Sequence, residues 1–417
     1  MKKQIEHCLD VGAIQDTLQL QDPVTAEIQT GPMPQPPHLK NPLATAHTKH
    51  SNRYSGSQPF RTMSSRNFGR IEIVIVPTAQ PSKNVAITLD AKLIQTILCK
   101  RFRKVAITTI KNRNDLEELA KRQPDLVFSG VKYFQFHDQD VWLNDFLDHH
   151  QIPYLGSPKS ALDCEYDKTV AKELVQRAGL STAPYIRVHP GETLSQLPTD
   201  MQFPVFIKPA NCGDSIGIDS ASLAFTHLEM QRKIQQLFDS LRCDVLIEQY
   251  LPGNEYSVGI IENDSTKSLT AMPIEIRAEK NTEGHRVLDF QTKKNDAEEV
   301  LSVTDQKIHR ALSDLGQSVF RVLGGTSFGR IDVRMCAAGI PHFMEANLMP
   351  GLKKGYFFRS CALNLGMSYE QMIIGLAENR IKPKTSHSGV RNRQQIGTII
   401  ESNGPQKLDS SISALPG

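Results

Sequence analysis

The chain has 417 residues, 39% of them hydrophobic, enough for a large core and for two to three domains. Its 48 basic and 45 acidic residues leave a net charge of +3, a balance that points to neither nucleic acid nor a membrane surface as partner. No apolar run approaches the ~18 residues of a membrane span, and MKKQIEHCLD lacks the apolar stretch of a secretory signal, so a cytoplasmic location is expected.

In chain order, residues 1–66 hold GPMPQPPHLKNP and HTKHSNRYSGSQ and sustain no apolar periodicity. Such a segment buries too little surface to offset its ordering entropy and is expected to be a disordered tail. Residues 386–417 are expected to behave the same way. Between the tails, IEIVIV (71–76), KVAITTI (104–110), DLVFSG (125–130) and IPYLG (152–156) predict four strands. Helical spacing over Asn84–Lys100, LEELAKR and Trp142–His149 alternates with them, which argues a parallel sheet flanked by helices over 67–156. A second section, 157–250, predicts a helix at 167–179, a strand at 203–210, a helix near 227–241 and a strand at 245–251. A third, 251–385, predicts the strands EYSVGII, SLTAMPIEI, GRIDVRM and PHFMEAN and a helix over 304–323. The class is therefore α/β. Seven cysteines, at 8, 99, 164, 212, 243, 336 and 361, form no CxxC pair and read as reduced thiols.

Three clusters carry chemistry. KPANCGDSIG puts Lys208 at a strand end, with Gly213, Asp214, Ser215 and Gly217 just after it. Glycines let backbone N–H groups approach phosphate oxygens, and a lysine supplies a compact charge. The loop lacks the GK[ST] ending of a P-loop, and on its own it is equally a plain turn. GRIDVRM and HFMEAN hold Asp332, Glu345 and Asn347; the last two, two apart on a strand, share one face. If the strands are neighbours, Asp332 joins them in an all-oxygen set suited to Mg²⁺ bridging triphosphate oxygens. Arg330 lies on the same face as Asp332, where it could stabilise charge developing in a reaction. A surface salt-bridge cluster is the plainer alternative. In VLIEQYLPGNE the strand breaks at Pro252–Gly253, flanked by Glu248 and Glu255. An extended hinge there can pair with adenine and a carboxylate with ribose, or it is a hairpin turn between domains.

Taken together, KPANCGDSIG, VLIEQYLPGNE, DFQTK, GRIDVRM and EANLMPGL resemble the D-alanine–D-alanine ligase branch of the ATP-grasp superfamily over roughly residues 150–380. The family runs KPxxxGSSxG, VLIEKWLxGxE, a DYxAK-like loop, GRxDxxL and EANxxPGM. The resemblance implies a three-domain ATP-grasp architecture, with an N-terminal parallel-sheet domain and ATP held between two α+β domains. It implies that Lys168 and Lys208 hold ATP phosphates, that Gly213, Ser215 and Gly217 form the phosphate-covering loop, and that Lys293 reaches the γ-phosphate. Glu248 with the Gln249, Tyr250 and Leu251 backbone would form the adenine hinge, and Glu255 would bind ribose. Arg330 would stabilise a tetrahedral intermediate, with Gly351 near its oxyanion. Asp332, Glu345 and Asn347 would ligate Mg²⁺, or Mn²⁺ in its place. The implied reaction joins a small-molecule acid to an amine or amino acid through an acyl-phosphate, releasing ADP and phosphate. A homodimer is the oligomer to expect.

The departures gather in the substrate subsites. Where the family has GGxSxExxVS, this chain has VPTAQPSKNVA; where it has HGxxGEDG, SGVKYFQFHDQD. The first serine of the phosphate loop is Asp214, and the tyrosine after the loop lysine is Lys294. The family's NTxPGMTxxS, whose serine holds the acceptor carboxylate, becomes NLMPGLKKGYFFRS, with Lys353, Lys354 and Arg359 as candidate anion-binding residues. D-alanyl-D-alanine is therefore not the expected product, because specificity lives in site residues. Relatives that add an amino acid to mycosporine-glycine offer an imine-forming alternative. An ATP-binding regulatory module and a small-molecule kinase are two more.

Overall fold

The computed structural model describes residues 67–77, 84–86, 89–136, 139–213, 215–279, 284, 286 and 298–381. The two expected tails, Asp214, Lys293 and Lys294 lie outside the described residues.

The first section is built on three parallel strands, β1 (Asn67–Ile75), β3 (Phe102–Thr109) and β4 (Leu126–Ser129), in the order β3-β1-β4. Parallel strands need crossovers, and helices α1 (Ala91–Cys99) and α2 (Arg113–Arg122) supply them. Two expectations change here. The helix expected over Asn84–Lys100 begins only at Ala91, where the Asp90 side chain caps it by accepting from Leu93 N at 3.0 Å. Asn84–Ala86 is instead strand β2, paired antiparallel with β5 (Val131–Gln135), which pairs in turn with β6 (Asp140–Trp142). IPYLG is not a full strand; Tyr154 makes one parallel bridge to Val127. Val131–Gln135 and Asp140, from the segment SGVKYFQFHDQD, thus enter this antiparallel sheet. Helix α3 (Leu143–His149) follows, as expected.

The second section opens with α4 (Lys159–Tyr166) and α5 (Lys168–Arg177), the latter capped by Asp167. A four-stranded antiparallel sheet follows, ordered β7-β10-β8-β9, from β7 (Tyr185–Val188), β8 (Val205–Pro209), β9 (Leu223–Ala224) and β10 (Val245–Gln249). Helix α6 (His227–Leu241) has a Thr226–Glu229 capping box and buries Met230, Ile234, Leu237 and Leu241 on this sheet. Strand β7 was not foreseen.

The third section is a five-stranded antiparallel sheet, β13-β12-β11-β14-β15. Its strands are β11 (Glu255–Glu262), β12 (Leu269–Arg277), β13 (Glu299–Ser302), β14 (Phe328–Met335) and β15 (Pro341–Asn347). Helix α7 (Gln306–Val322) packs Leu312, Val319 and Phe320 against one face. Helices α8 (Tyr356–Leu365) and α9 (Tyr369–Arg380) form one core with the first sheet, through Met372, Ile373 and Leu376 beside Ile71, Ile73 and Leu98. Arg101 pairs with Glu378, and Arg380 Nε donates to Tyr154 O at 2.9 Å, closing the chain back on its first section. No described helix is long and apolar enough to cross a membrane. Cys99, Cys164, Cys243, Cys336 and Cys361 are free thiols, as expected.

The break at Pro252–Gly253 is held by backbone contact: Gly253 N donates to Met335 O at 3.0 Å. A Cβ on Gly253 would lie 2.6 Å from that oxygen. Gly253→Ala is therefore expected to cost about 1–3 kcal/mol of stability, read as a lower denaturant midpoint.

Candidate active site

Strands β14 and β15 pair with Arg330 opposite Asn347 and Asp332 opposite Glu345, which meets the condition that the two strands be neighbours. Just beyond, the register shifts: Val333 faces Phe343, so Met344 is an extra residue on β15. Such a bulge re-aims side chains, and here Met344 and Glu345 both line one cleft. The cleft, about 780 Å³ with the solvent in its mouth, is also lined by Lys168, Lys208, Ser215, Gln249, Tyr250, Leu251, Glu255 and Asp332. It is of the size that takes a small-molecule ligand.

The phosphate-type loop follows β8. Ile216 N donates to Gly213 O at 3.1 Å and Ile218 N to Ser215 O at 3.0 Å, giving two tight turns. Ser215 takes a left-handed conformation, φ 59°, and Gly217 has φ 77°. A Cβ on Gly217 would fall 2.9 Å from Leu237 Cδ2 and 3.0 Å from Pro209 Cγ, so only glycine lets the loop seat on α6. Lys168 Nζ donates to Cys212 O and lies 4.0 Å from Glu345 Oε2.

Behind the cleft wall sits a buried ionic triad. Glu248 is fully buried; Oε1 is 2.5 Å from Lys172 Nζ and Oε2 is 2.6 Å from Lys208 Nζ. Lys172, also fully buried, donates to Thr182 Oγ1 at 2.7 Å and to Phe343 O at 3.4 Å. It was not singled out from sequence. Burial pushes the Glu248 carboxyl up, but Lys172 and Lys208 outweigh it and hold the pKa below the ordinary 4.5. Burial likewise works against Lys208, and Glu248 and Glu345 reverse it, so its pKa is raised. For Lys172 burial wins, and its pKa is lowered.

Arg330 and Asp332 form a two-toothed pair, Nε to Oδ1 and Nη2 to Oδ2, both 2.9 Å. Burial opposes the Arg330 charge, but Asp332 outweighs it and raises its pKa. Ser257 Oγ donates to Asp332 Oδ1 at 2.7 Å, and Asn347 Nδ2 to Oδ2 at 3.3 Å. Among the described residues no three His, Cys, Asp or Glu converge, so a cation here would rely on two carboxylates and the Asn347 amide oxygen. All three are hard oxygen donors, and the set fits Mg²⁺.

Arg334 was missed in the sequence because it read as one more residue of a strand. It is 8% exposed and lines the cleft. Its guanidinium donates to Leu251 O at 2.7 Å, Glu255 Oε2 at 3.1 Å, Tyr250 Oη at 3.1 Å and Arg286 O at 2.8 Å. Its Cζ lies 5.0 Å from the Tyr250 ring centroid. One side chain thus fixes the hinge and its carboxylate together. The charged spacing Glu255…Arg334 on paired strands, directly opposite in register, was the available signal. Lys353 and Lys354 are exposed, Arg359 is half-buried, and none of the three lines the cleft; Gly351 is half-buried after Pro350.

A sheet-flanked cleft with this loop, hinge and acidic strand pair defines an ATP-grasp fold. A profile of the family described as D-ala D-ala ligase C-terminus matches residues 174–378. A D-alanine–D-alanine ligase of Streptococcus pyogenes serotype M49 is 28% identical over 261 residues, covering 60% of this chain and 71% of the relative. The D-alanine–D-alanine ligase of Bacillus anthracis solved with ATP shares the fold at TM-score 0.55 and 19% identity, over 75% of this chain and 97% of that one. The VanG D-Ala:D-Ser ligase of Enterococcus faecalis does so at TM-score 0.56 and 17% identity, over 76% and 100%. Residues 174–378 thus resemble the C-terminal part of the D-alanine–D-alanine ligases, and the chain shares the fold of the ATP-grasp ligases solved.

Two outcomes follow from this geometry. Glu248→Gln leaves two buried lysines without their counter-charge and is expected to cost about 3–5 kcal/mol at pH 7. The Glu248 contribution is full above pH ~4.5 and is lost as pH falls through its depressed folded value. The gap between variant and wild type in denaturant melts should therefore shrink in acid. Arg334→Met should raise the KM for ATP about tenfold or more, as loss of a charge-assisted clamp would, with little change in kcat, measured by steady-state kinetics over an ATP series.

Proposed function

We propose that the chain is an ATP-dependent ligase that joins an acid other than D-alanine to an amine, through an acyl-phosphate, with release of ADP and phosphate. The observation that carries this reading is one cleft lined together by Lys168, Lys208, Asp332 and Glu345. On it, two cations face two carboxylates, the polarity that a metal–triphosphate requires.

In this reading residues 157–250 and 251–385 close on the nucleotide from two sides, and 67–156 supplies part of the substrate site. Lys168 and Lys208 neutralise phosphate oxygens, with Glu248 fixing the Lys208 ammonium from behind. Glu255 accepts from ribose hydroxyls, and the Gln249–Leu251 backbone meets adenine. Asp332, Glu345 and Asn347 would hold Mg²⁺, which supplies charge neutralisation across the phosphates. The acid's carboxylate oxygen attacks the γ-phosphorus and ADP leaves; the amine nitrogen then attacks the acyl carbon and phosphate leaves. Arg330, held flat by Asp332, offers its remaining N–H groups to the oxyanion. The work of the site is positioning and electrostatics.

The rebuilt subsites support substrates other than D-alanine. The family's HGxxGEDG position is occupied by the β5–β6 hairpin, and its acceptor serine region by Lys353–Arg359.

The direct test is release of ADP and phosphate from Mg-ATP against pools of amino acids and small acids, with mass detection of product. Release requiring both an acid and an amine, with a condensed product, supports the ligase. Phosphate retained on the substrate would make it a kinase and overturn the reading. Glu345→Gln is expected to lower turnover by about 10²–10³-fold, the scale of losing one electrostatic contact to the transferring group. Near-normal turnover in that variant would remove Glu345 from the metal set.

A further inference from the structure

A second charged group, linked to Arg330 through one shared tyrosine, has no role in the proposed reaction. Glu298 is 7% exposed, at the edge of β13. Its Oε1 accepts a 2.5 Å hydrogen bond from the Tyr356 hydroxyl. Its Oε2 is buried and has no hydrogen-bond partner among the described residues. Tyr356 is shared: the Arg330 guanidinium lies 5.4 Å from its ring centroid while its hydroxyl is committed to Glu298. Burial, with Glu298 adding to it, raises the Tyr356 phenol far above its ordinary range, so the hydroxyl keeps its proton and donates. Counted from Pro350, Tyr356 stands where the family pattern has the serine that holds the acceptor carboxylate.

These contacts disfavour a carboxylate at this point. The Tyr356 proton is already spent on Glu298, and the Glu298 charge repels an anion. A buried carboxylate oxygen without a donor is costly, and the group that relieves it is a donor, best of all a cation. We infer that Glu298 and Tyr356 form the pocket for the attacking amine, with Glu298 Oε2 accepting from its ammonium, so that the acceptor is a primary amine recognised by its nitrogen rather than by an α-carboxylate.

This inference rests on the ligase reading and deepens it. The ammonium gives one proton to Glu298 Oε2, leaving a neutral amine. Its lone pair attacks the acyl carbon, the carbon–oxygen bond to phosphate breaks, and the second proton leaves with the phosphate. Arg330, on the ring of the same tyrosine, faces the oxyanion that forms. Amine and oxyanion are thereby held by opposite charges bridged by one aromatic side chain.

The test is binding of two probes to the full chain with Mg-AMP-PNP, by calorimetry: ethanolamine, an ammonium without a carboxylate, and propionate, a carboxylate without an ammonium. Ethanolamine should bind saturably to wild type and about tenfold more weakly to Glu298→Gln, the loss expected of one charge-assisted contact. Tyr356→Phe, which keeps the charge, should weaken it less, by about threefold. Propionate affinity should not fall in Glu298→Gln. AMP-PNP binding by each variant reports that it is folded. Equal ethanolamine affinity in wild type and Glu298→Gln, or no saturable ethanolamine binding to wild type that holds AMP-PNP, overturns the amine pocket alone. Failure of wild type to bind Mg-AMP-PNP overturns the nucleotide reading, and the amine pocket with it.

Discussion

The carboxylate of Glu248, buried between Lys172 and Lys208, is the contact on which the rest of the site depends. It joins three elements that the chain delivers separately: α5, β8 and β10. Each lysine alone would be too costly to bury, and each is made tolerable by the same acid. With Lys208 pinned from behind, its ammonium sits at the cleft wall with little freedom left. Lys172 carries the same network onward to Thr182 and the Phe343 carbonyl, and so to β15. The triad thereby ties the small sheet to the acidic strands.

How much of this could be read in the sequence differs by residue, for physical reasons. That Arg330 and Asp332 share one face, and Glu345 and Asn347 another, was legible from period-two alternation; that the two strands are neighbours was left as a condition, and the register meets it. The loop after Lys208 was legible because it is rich in glycine, and at Gly217 the backbone requires it. Lys172 was not, because on its own helix it looks like one more lysine of an amphipathic pattern; its burial is decided by Glu248, far along the chain. Arg334 was obscured in the same way by its strand. The segment Asn84–Ala86 was drawn into a helix by apolar spacing, and pairing with β5 overrode that local preference. Asp90, a capping residue in plain view, was the clue to the true start.

The substrate side shows the opposite balance. Motifs there identify what is missing relative to the family and little of what replaced it. The Glu298–Tyr356 pair joins residues from distant stretches, so it has no local signature. Fold and nucleotide chemistry are carried by short, self-contained patterns; specificity is carried by contacts that only the folded chain makes.

The stitching at Phe343 has a consequence for recombination. Its N–H donates to Ser181 O at 2.8 Å, and its carbonyl accepts from Thr182 Oγ1 at 2.8 Å. The stretch leading into the small sheet is thus sewn to the strand that bears Glu345, one bulged residue away. A chimera with a relative could exchange the small sheet only if its boundaries lay upstream of Lys172 and beyond Glu248, since a junction between them would divide the triad. The natural unit of exchange is therefore the sheet together with the helix before it, a module bounded by charge and not by the turns where the chain looks easiest to cut.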